Sequence, residues 1–138
     1  MPDSDLLVDT SVAVALLVAD HEHHRAVTGE IAARRLGLAG HAAFETFSVL
    51  TRLPPPARRP PDVVGRLLST GFPATCFLGA EDTAELLERC ASLRISGGRV
   101  YDALVGAAAA AHDLPLVTRD ARALDVYRAL GVELYVLG

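Results

Sequence analysis

The sequence predicts a three-layer α/β/α sandwich around a central, mostly parallel β-sheet, and three observations support that prediction. Short apolar runs of strand length alternate with longer segments whose apolar residues recur at helical spacing. Clusters of Gly, Pro and small polar residues separate the segments. Strands that alternate with helices favour parallel pairing, with the helices covering the faces of the sheet. We expect residues 1–138 to form one domain, because no repeat, linker or low-complexity tail interrupts them.

The first half of the chain predicts two strands and three helices. The apolar run at 6–8 reads as a strand that Asp9 closes, and an apolar helical stretch follows it. Asp20 is placed to cap a second helix, and the phenylalanines after residue 40 recur at helical spacing. The predicted elements are a strand at 6–8, helices at 12–18 and 20–35, a strand at 36–40 and a helix at 41–53.

The second half begins with a proline-rich loop at 54–61, since consecutive prolines cannot continue a helix. The Ser-Gly-Gly sequence at 96–98 breaks the chain before a long Ala-rich helix. The predicted elements are helices at 62–69, 80–93, 99–112 and 120–130, with strands at 75–78, 114–117 and 132–137.

Composition excludes several classes of protein. The hydrophobic fraction is 51% and the mean hydropathy +0.30, but the longest apolar run, 12–19, is far below the ~20 residues that cross a bilayer. No basic segment precedes that run, so we expect a soluble, cytoplasmic protein without a membrane partner. The net charge of −4 argues against a broad basic surface for nucleic acids. All 13 basic residues are Arg, which can still grip phosphates from a few positions.

Two acidic residues follow predicted strands directly. Asp9 and Asp120 each end an apolar strand segment and open a helix. Each alone fits an ordinary helix N-cap, which needs no further function. Ligands of open parallel sheets bind at the carboxyl ends of the strands, so together the two acids are candidates to share a site.

Two further acids lie inside predicted helices. Asp102 is the only charged side chain from Val100 to Ala111, in a helix that we expect to be buried nearly all round. A buried, unpaired carboxylate is costly, so Asp102 requires a cation, a proton or a hydrogen bond from a facing loop. Glu45 shares its helix face with Ser48 and Arg52, a pattern that also fits a solvated polar stripe.

Acids gathered at one sheet edge without basic partners repel one another unless a cation lies between them. Oxygen ligands suit a hard ion such as Mg²⁺ or Mn²⁺, and phosphoryl chemistry is the natural use of such a site. The histidines at 21–24 do not form the i, i+4 pair of a zinc helix, so we interpret them as a solvated helix start.

The arrangement of these residues resembles the PIN domain. The resemblance rests on Asp9 with the Thr-Ser pair after it, on the lone Glu45, and on the segments 101–104 (YDAL) and 114–120 (LPLVTRD). The last two segments are similar to the VapC branch, the toxins of type II toxin–antitoxin pairs. The resemblance covers essentially the whole chain, although the loop at 54–61 is less typical.

The resemblance implies a metal-dependent endoribonuclease that hydrolyses phosphodiester bonds of structured RNA, often tRNA or rRNA. It implies a small antitoxin protein as a partner, and a homodimer. Products with 5′-phosphate and 3′-hydroxyl ends are expected. The implied ligands of Mg²⁺ or Mn²⁺ are Asp9, Glu45, Asp102 and Asp120, and the implied supporting hydroxyls are those of Thr10, Ser11 and Thr118.

Arg99, Arg119 and Arg122 flank the acidic residues in sequence and are the candidate RNA contacts. The alternative is that each is a surface side chain or an ion-pair partner. Aromatic residues make up only 5% of the chain, so extensive base stacking is not expected.

Several rivals differ in testable ways. A phosphoaspartate receiver needs a Lys, and there is none; a haloacid-dehalogenase-type phosphatase needs an Asp where Ser11 stands. The chain contains no P-loop sequence. A non-catalytic PIN-like module that binds RNA or protein, and a DNA-directed nuclease of the same superfamily, remain open.

Overall fold

The computed structural model describes residues 4–138, in which four short strands alternate with seven α-helices. A single 3₁₀ turn, Ala121–Ala123, precedes the last helix. The elements are β1 (Leu6–Val8), α1 (Thr10–Leu17), α2 (His24–Ile31), β2 (Leu36–Leu38), α3 (Ala42–Arg52), α4 (Pro61–Gly71), α5 (Ala80–Leu93), α6 (Arg99–Ala111), β3 (Leu116–Thr118), α7 (Leu124–Ala129) and β4 (Leu134–Val136).

The four strands form one parallel sheet in the order β2-β1-β3-β4. Val8, at the end of the first strand, pairs with Leu38 on one side and Val117 on the other. The predicted α/β class with a parallel central sheet is therefore confirmed. The carboxyl ends of the two central strands, β1 and β3, lie side by side at one edge.

The core lies on both faces of this sheet, because successive side chains of a strand point to opposite faces. Leu7 packs into one cluster, with side chains of α6 and α7, whereas Leu6 and Val8 pack into a second cluster, with α1 and α2. All three residues of β1 are at most 1% exposed, so packing on both faces fixes the position of Asp9, which follows the strand.

The predicted strand at 75–78 is wrong, since only Cys76 forms an isolated bridge, to Ala39. The cause is a side chain: Thr75 Oγ1 accepts the hydrogen bond of the Leu38 backbone N–H at 2.9 Å. A strand carbonyl would otherwise have taken that donor. The chain also passes very close to Gly37, where an added Cβ would lie 2.3 Å from the carbonyl carbon of Ala74.

Two predicted helices begin later than expected. The helix predicted at 20–35 is α2, which begins only at His24, because residues 19–23 turn after α1 and His24 Nδ1 contacts the Ala15 carbonyl at 2.8 Å. Before α7, the Asp120 carboxylate accepts the Arg122 N–H and holds the chain in the 3₁₀ turn. No helix within residues 4–138 is long and apolar enough to span a bilayer.

Candidate active site

The site lies at the carboxyl edge of the two central strands. Asp9 follows β1 directly and is the N-cap of α1. Thr118 is the last residue of β3, and Asp120 follows it two residues later. Because β1 and β3 are adjacent and parallel, the fold brings these residues together although 109 positions separate Asp9 from Thr118.

Asp9 is the buried centre of the site, at 4% exposure. Its Oδ1 accepts hydrogen bonds from the Ser11 hydroxyl at 2.5 Å and from the Val12 N–H at 3.3 Å. Its Oδ2 accepts from the Thr118 hydroxyl, and from the Tyr127 hydroxyl at 3.0 Å. Burial raises the pKa of Asp9, and these four donors oppose that rise by favouring the charged form. The carboxylate is thus fixed in orientation at both oxygens.

The same hydroxyls join β3 to the start of α1. The Ser11 oxygen accepts the Arg119 N–H at 3.1 Å, and the Thr118 oxygen accepts the Asp120 N–H at 3.0 Å. Ser11 and Thr118 therefore support Asp9 and the following loop at once. Thr10, which the sequence grouped with them, does not join this network, and its buried hydroxyl has no partner in the described part of the chain.

Asp102, in the first turn of α6, belongs to the same electrostatic cluster. The pKa of Asp102 is raised to about 6, and burial is the largest cause. Three nearby carboxylates add to the rise, in the order Asp120, Glu45, Asp9. Arg99 opposes this rise. Three carboxylates that raise the pKa of a fourth form with it a concentrated negative site with little cationic compensation. We call Asp9, Glu45, Asp102 and Asp120 the acidic cluster.

The surroundings of Asp102 differ from the expectation of a helix buried all round. The helix buries one face through small residues such as Ala103 and Gly106, whereas Tyr101 is 52% exposed and Asp102 is half-buried. Within residues 4–138 the Asp102 carboxylate accepts no hydrogen bond, so the facing-loop alternative finds no donor there.

Glu45 lies in the first turn of α3, half-exposed, with its Oε1 3.6 Å from Nε2 of His41. Of the three candidate arginines, Arg99 and Arg122 are exposed, while Arg119 is half-buried. The Nε of Arg119 is buried and has no hydrogen-bond partner among the described residues. None of the three arginines forms a close ion pair with the acidic cluster within residues 4–138.

The chemistry of the donors fits a hard divalent cation, because all four side chains offer carboxylate oxygens and repel one another. Their present positions do not form a finished site: no three His, Cys, Asp or Glu side chains within residues 4–138 are arranged to hold an ion. Both oxygens of Asp9 already accept hydrogen bonds, so an ion that bound Asp9 would have to replace one of these donors. Glu45, Asp102 and Asp120 are only partly buried, and Asp120 already accepts the Arg122 N–H through one oxygen.

Tyr127 is the site residue that the sequence did not reveal. It is 2% exposed, and its hydroxyl reaches Asp9 across 118 positions of sequence. Burial, followed by the charge of Asp9, raises the pKa of this hydroxyl, so it remains a donor at neutral pH. Gly106 makes room for the ring, since a Cβ there would meet Tyr127 Cδ1 at 2.9 Å. The available signal was a tyrosine on the apolar face of a helix, whose hydroxyl must find a partner when buried.

Fold and site together define an α/β protein with an acidic cluster at the carboxyl edge of a parallel sheet. The family model of the PIN domain matches residues 6–129. Ribonuclease VapC27 of Mycobacterium tuberculosis (strain ATCC 25618 / H37Rv) is 50% identical over 131 residues, 95% of this chain and 96% of that protein. Ribonuclease VapC40 of the same species (strain CDC 1551 / Oshkosh) is 43% identical over 126 residues, 91% and 93% of the two chains. The chain therefore belongs to the PIN domain family, in its VapC group, as predicted.

A solved structure supports the same fold. The crystal structure of VapBC2 from Rickettsia felis, bound to a DNA fragment from their promoter, superimposes with a TM-score of 0.69 at 14% identity. The match covers 98% of this chain and 100% of that one. At this identity the likeness concerns the fold alone.

Proposed function

We propose that this protein is a Mg²⁺- or Mn²⁺-dependent endoribonuclease, the cytoplasmic toxin of a toxin–antitoxin pair, which cleaves structured RNA such as tRNA or rRNA. The observation that carries the proposal is the acidic cluster around the rigidly held carboxylate of Asp9. The relatives that bear the name ribonuclease, at 50% and 43% identity, support the same activity.

Each residue has a defined part in this proposal. A bound Mg²⁺ or Mn²⁺ would lower the pKa of a coordinated water and offset negative charge on the phosphate. Ser11, Thr118 and Tyr127 hold Asp9 so that its carboxylate needs no reorientation when RNA arrives. Glu45 and Asp102 present their half-exposed carboxylates from two different helices. The geometry thus combines one buried, fully hydrogen-bonded carboxylate with others that are partly exposed.

The phosphate backbone of the substrate needs positive side chains near this negative site. Arg99 lies close enough to Asp102 to influence its pKa, and its guanidinium is exposed. Arg119 follows β3 directly and keeps an unpaired Nε among the described residues. We propose that these two arginines and Arg122 bind RNA phosphates, for which the guanidinium fork is suited. Such contacts position the strand without selecting its sequence.

The chain has an apolar surface suited to the proposed antitoxin. An apolar groove of about 570 Å³ lies between α3 and α4, and its lining includes Phe47, Leu68 and Phe72. Phe44 at its rim is 67% exposed, and Phe77 is also exposed. A contiguous apolar surface of this kind favours a protein partner. We propose that apolar side chains of the antitoxin fill this groove, and that the toxin itself is a homodimer.

The toxin activity is tested by induced expression of the wild type beside Asp9→Asn and Asp102→Asn. Asp82→Asn is the matched control, because it removes an exposed carboxylate from the first turn of α5, away from the cluster. We expect growth arrest and new RNA 5′ ends with the wild type and the control, and neither effect with the other two variants. Arrest by all four proteins without new 5′ ends would contradict the nuclease proposal.

One observation favours a second candidate, a non-catalytic module that binds RNA or protein. Both oxygens of Asp9 are occupied by donors, and the acids within residues 4–138 are not arranged as a finished metal site. This candidate predicts RNA binding that Mn²⁺ does not change and no cleavage in any metal. Cleavage by the wild type that EDTA abolishes would exclude it.

A further inference from the structure

The rings of His41 and Tyr101 form a stacked pair on the surface beside the acidic cluster. Their centroids lie 4.9 Å apart and their planes differ by 21°. His41 is the residue before α3, and Tyr101 is in the first turn of α6. We infer that this pair, the aromatic platform, stacks on an unpaired base of the RNA substrate next to the cleaved bond. The inference rests on the proposed function and adds a subsite to it.

The platform is continuous with the acidic cluster. His41 Nε2 is 3.6 Å from Oε1 of Glu45, and Tyr101 directly precedes Asp102 in the chain. Arg99 begins the same helix two residues before Tyr101 and is exposed. A nucleotide whose phosphate meets the carboxylate site therefore has an aromatic face and a guanidinium within reach of its base and backbone.

Tyr101 leaves about half of its surface open to solvent at the start of α6. Its side chain is 52% exposed, and its hydroxyl forms no hydrogen bond within residues 4–138. Phe44 and Tyr101 are exposed aromatic residues that each precede an acid of the cluster in sequence, but Phe44 contacts Phe77 at the apolar groove, whereas Tyr101 stacks on His41.

Electrostatics gives the reason why the substrate needs such a contact. The chain carries a net charge of −4, and the acidic cluster repels the phosphates that must approach it. Base–aromatic stacking supplies affinity that does not depend on charge, and it tolerates different bases. Single-stranded segments of RNA are the targets whose bases are free to stack in this way. The low aromatic content predicted little stacking, and the structure places one aromatic pair, exposed Tyr101 and partly buried His41, beside the acidic cluster.

The test compares Tyr101→Phe, Tyr101→Leu and Tyr101→Ala, because Phe keeps the aromatic face and Leu keeps only apolar area. Tyr135→Leu is the matched control: this tyrosine is 39% exposed but lies on β4, at the edge of the sheet. The probe is an unstructured oligoribonucleotide of mixed sequence with a fluorescein label. Its affinity is measured by fluorescence anisotropy in EDTA, and its cleavage in Mn²⁺ gives kcat and KM separately.

We expect Tyr101→Phe to leave KM unchanged, whereas Tyr101→Leu and Tyr101→Ala should raise KM and the dissociation constant at least about fivefold, with kcat changed less than about twofold. Equal behaviour of the Phe and Leu variants would overturn the inference, because stacking distinguishes them. Unchanged affinity in all variants, with a change of oligomeric state by sedimentation in Tyr101→Ala, would assign the ring to a protein contact instead. If the wild type does not cleave this oligonucleotide, the anisotropy series still decides the platform, and the expression experiment on cellular RNA decides the nuclease function separately.

Discussion

Replacing Asp102 by Asn should make the metal-free protein more stable at neutral pH while abolishing RNA cleavage. The carboxyl group accepts no hydrogen bond within residues 4–138, so the amide loses no observed contact. The wild-type carboxylate, by contrast, is charged at neutral pH beside three other acids. Removing the charge ends both the desolvation cost of burial, which is the larger effect, and the repulsion, so the folded state is favoured.

The magnitude follows from the pKa of Asp102, which burial and then the neighbouring carboxylates raise from 3.8 to about 6. A difference of that size corresponds to ~3 kcal/mol between the two protonation states. Asp102 is only half-buried, and solvent screening reduces the expected gain to about 1–2 kcal/mol. For a domain of this size that is a rise of roughly 3–8 °C in Tm.

The raised pKa of Asp102 also determines how the stability of the wild type changes with pH. Because the folded pKa is the higher one, folded Asp102 binds more protons than unfolded Asp102 between pH 3.8 and about 6. The stability of the wild type therefore falls as pH rises through that window and loses nothing more from this group above it. Asn does not titrate, so the advantage of the variant should be near zero at about pH 3.5 and full at about pH 7.5.

The assay is urea unfolding followed by circular dichroism at about pH 3.5, 5 and 7.5 in EDTA, with Asp82→Asn as the control. We expect Mn²⁺ to stabilise the wild type and to reduce the difference between the two proteins, since the ion binds the carboxylates of the folded state. An Asp102→Asn protein that is less stable at every pH would refute the reasoning and assign a structural role to Asp102. A difference that does not change with pH would also contradict the electrostatic account.

Three further substitutions test the hydrogen bond to Asp9 and the packing of β2. Tyr127→Phe removes one hydrogen-bond donor from Asp9. It should lower the free energy of unfolding in urea by about 1–2 kcal/mol and the initial rate of cleavage roughly tenfold. Wild-type values for both would show that the hydroxyl is dispensable. Gly37→Ala should cost about 3 kcal/mol or more, because the new Cβ would lie 2.3 Å from the backbone of Ala74. Gly65→Ala, with open space around an exposed helical glycine, should instead gain about 0.5–1 kcal/mol, and equal effects of the two Ala variants would contradict the close approach at Gly37.

The sequence could predict the parts of the fold that local patterns determine. Alternating apolar runs and helical segments were sufficient for a parallel sheet, and a parallel sheet places Asp9 and Asp120 at one edge. The pattern at 75–78 looked like another strand, but a single hydroxyl, that of Thr75, took the donor that would have extended the sheet. A competition between a side chain and a backbone carbonyl is not visible in apolar spacing.

The remaining parts of the site depend on contacts between distant segments. The hydrogen bond from Tyr127 to Asp9 joins residues 118 positions apart, and no local pattern records it. The stacked pair of His41 and Tyr101 likewise depends on how α3 and α6 meet. Glu45 on its own fitted a solvated stripe, and only the influence of its charge on Asp102 places it with the other acids.

The central claim is that the acidic cluster holds a divalent cation, and calorimetric titration of Mn²⁺ into the metal-free protein tests it most directly. We predict saturable binding to the wild type and to Asp82→Asn, and loss of that binding in Asp9→Asn and Asp102→Asn. Equal Mn²⁺ binding by all four proteins, or RNA cleavage by a wild type that binds no Mn²⁺ or Mg²⁺, would contradict the account.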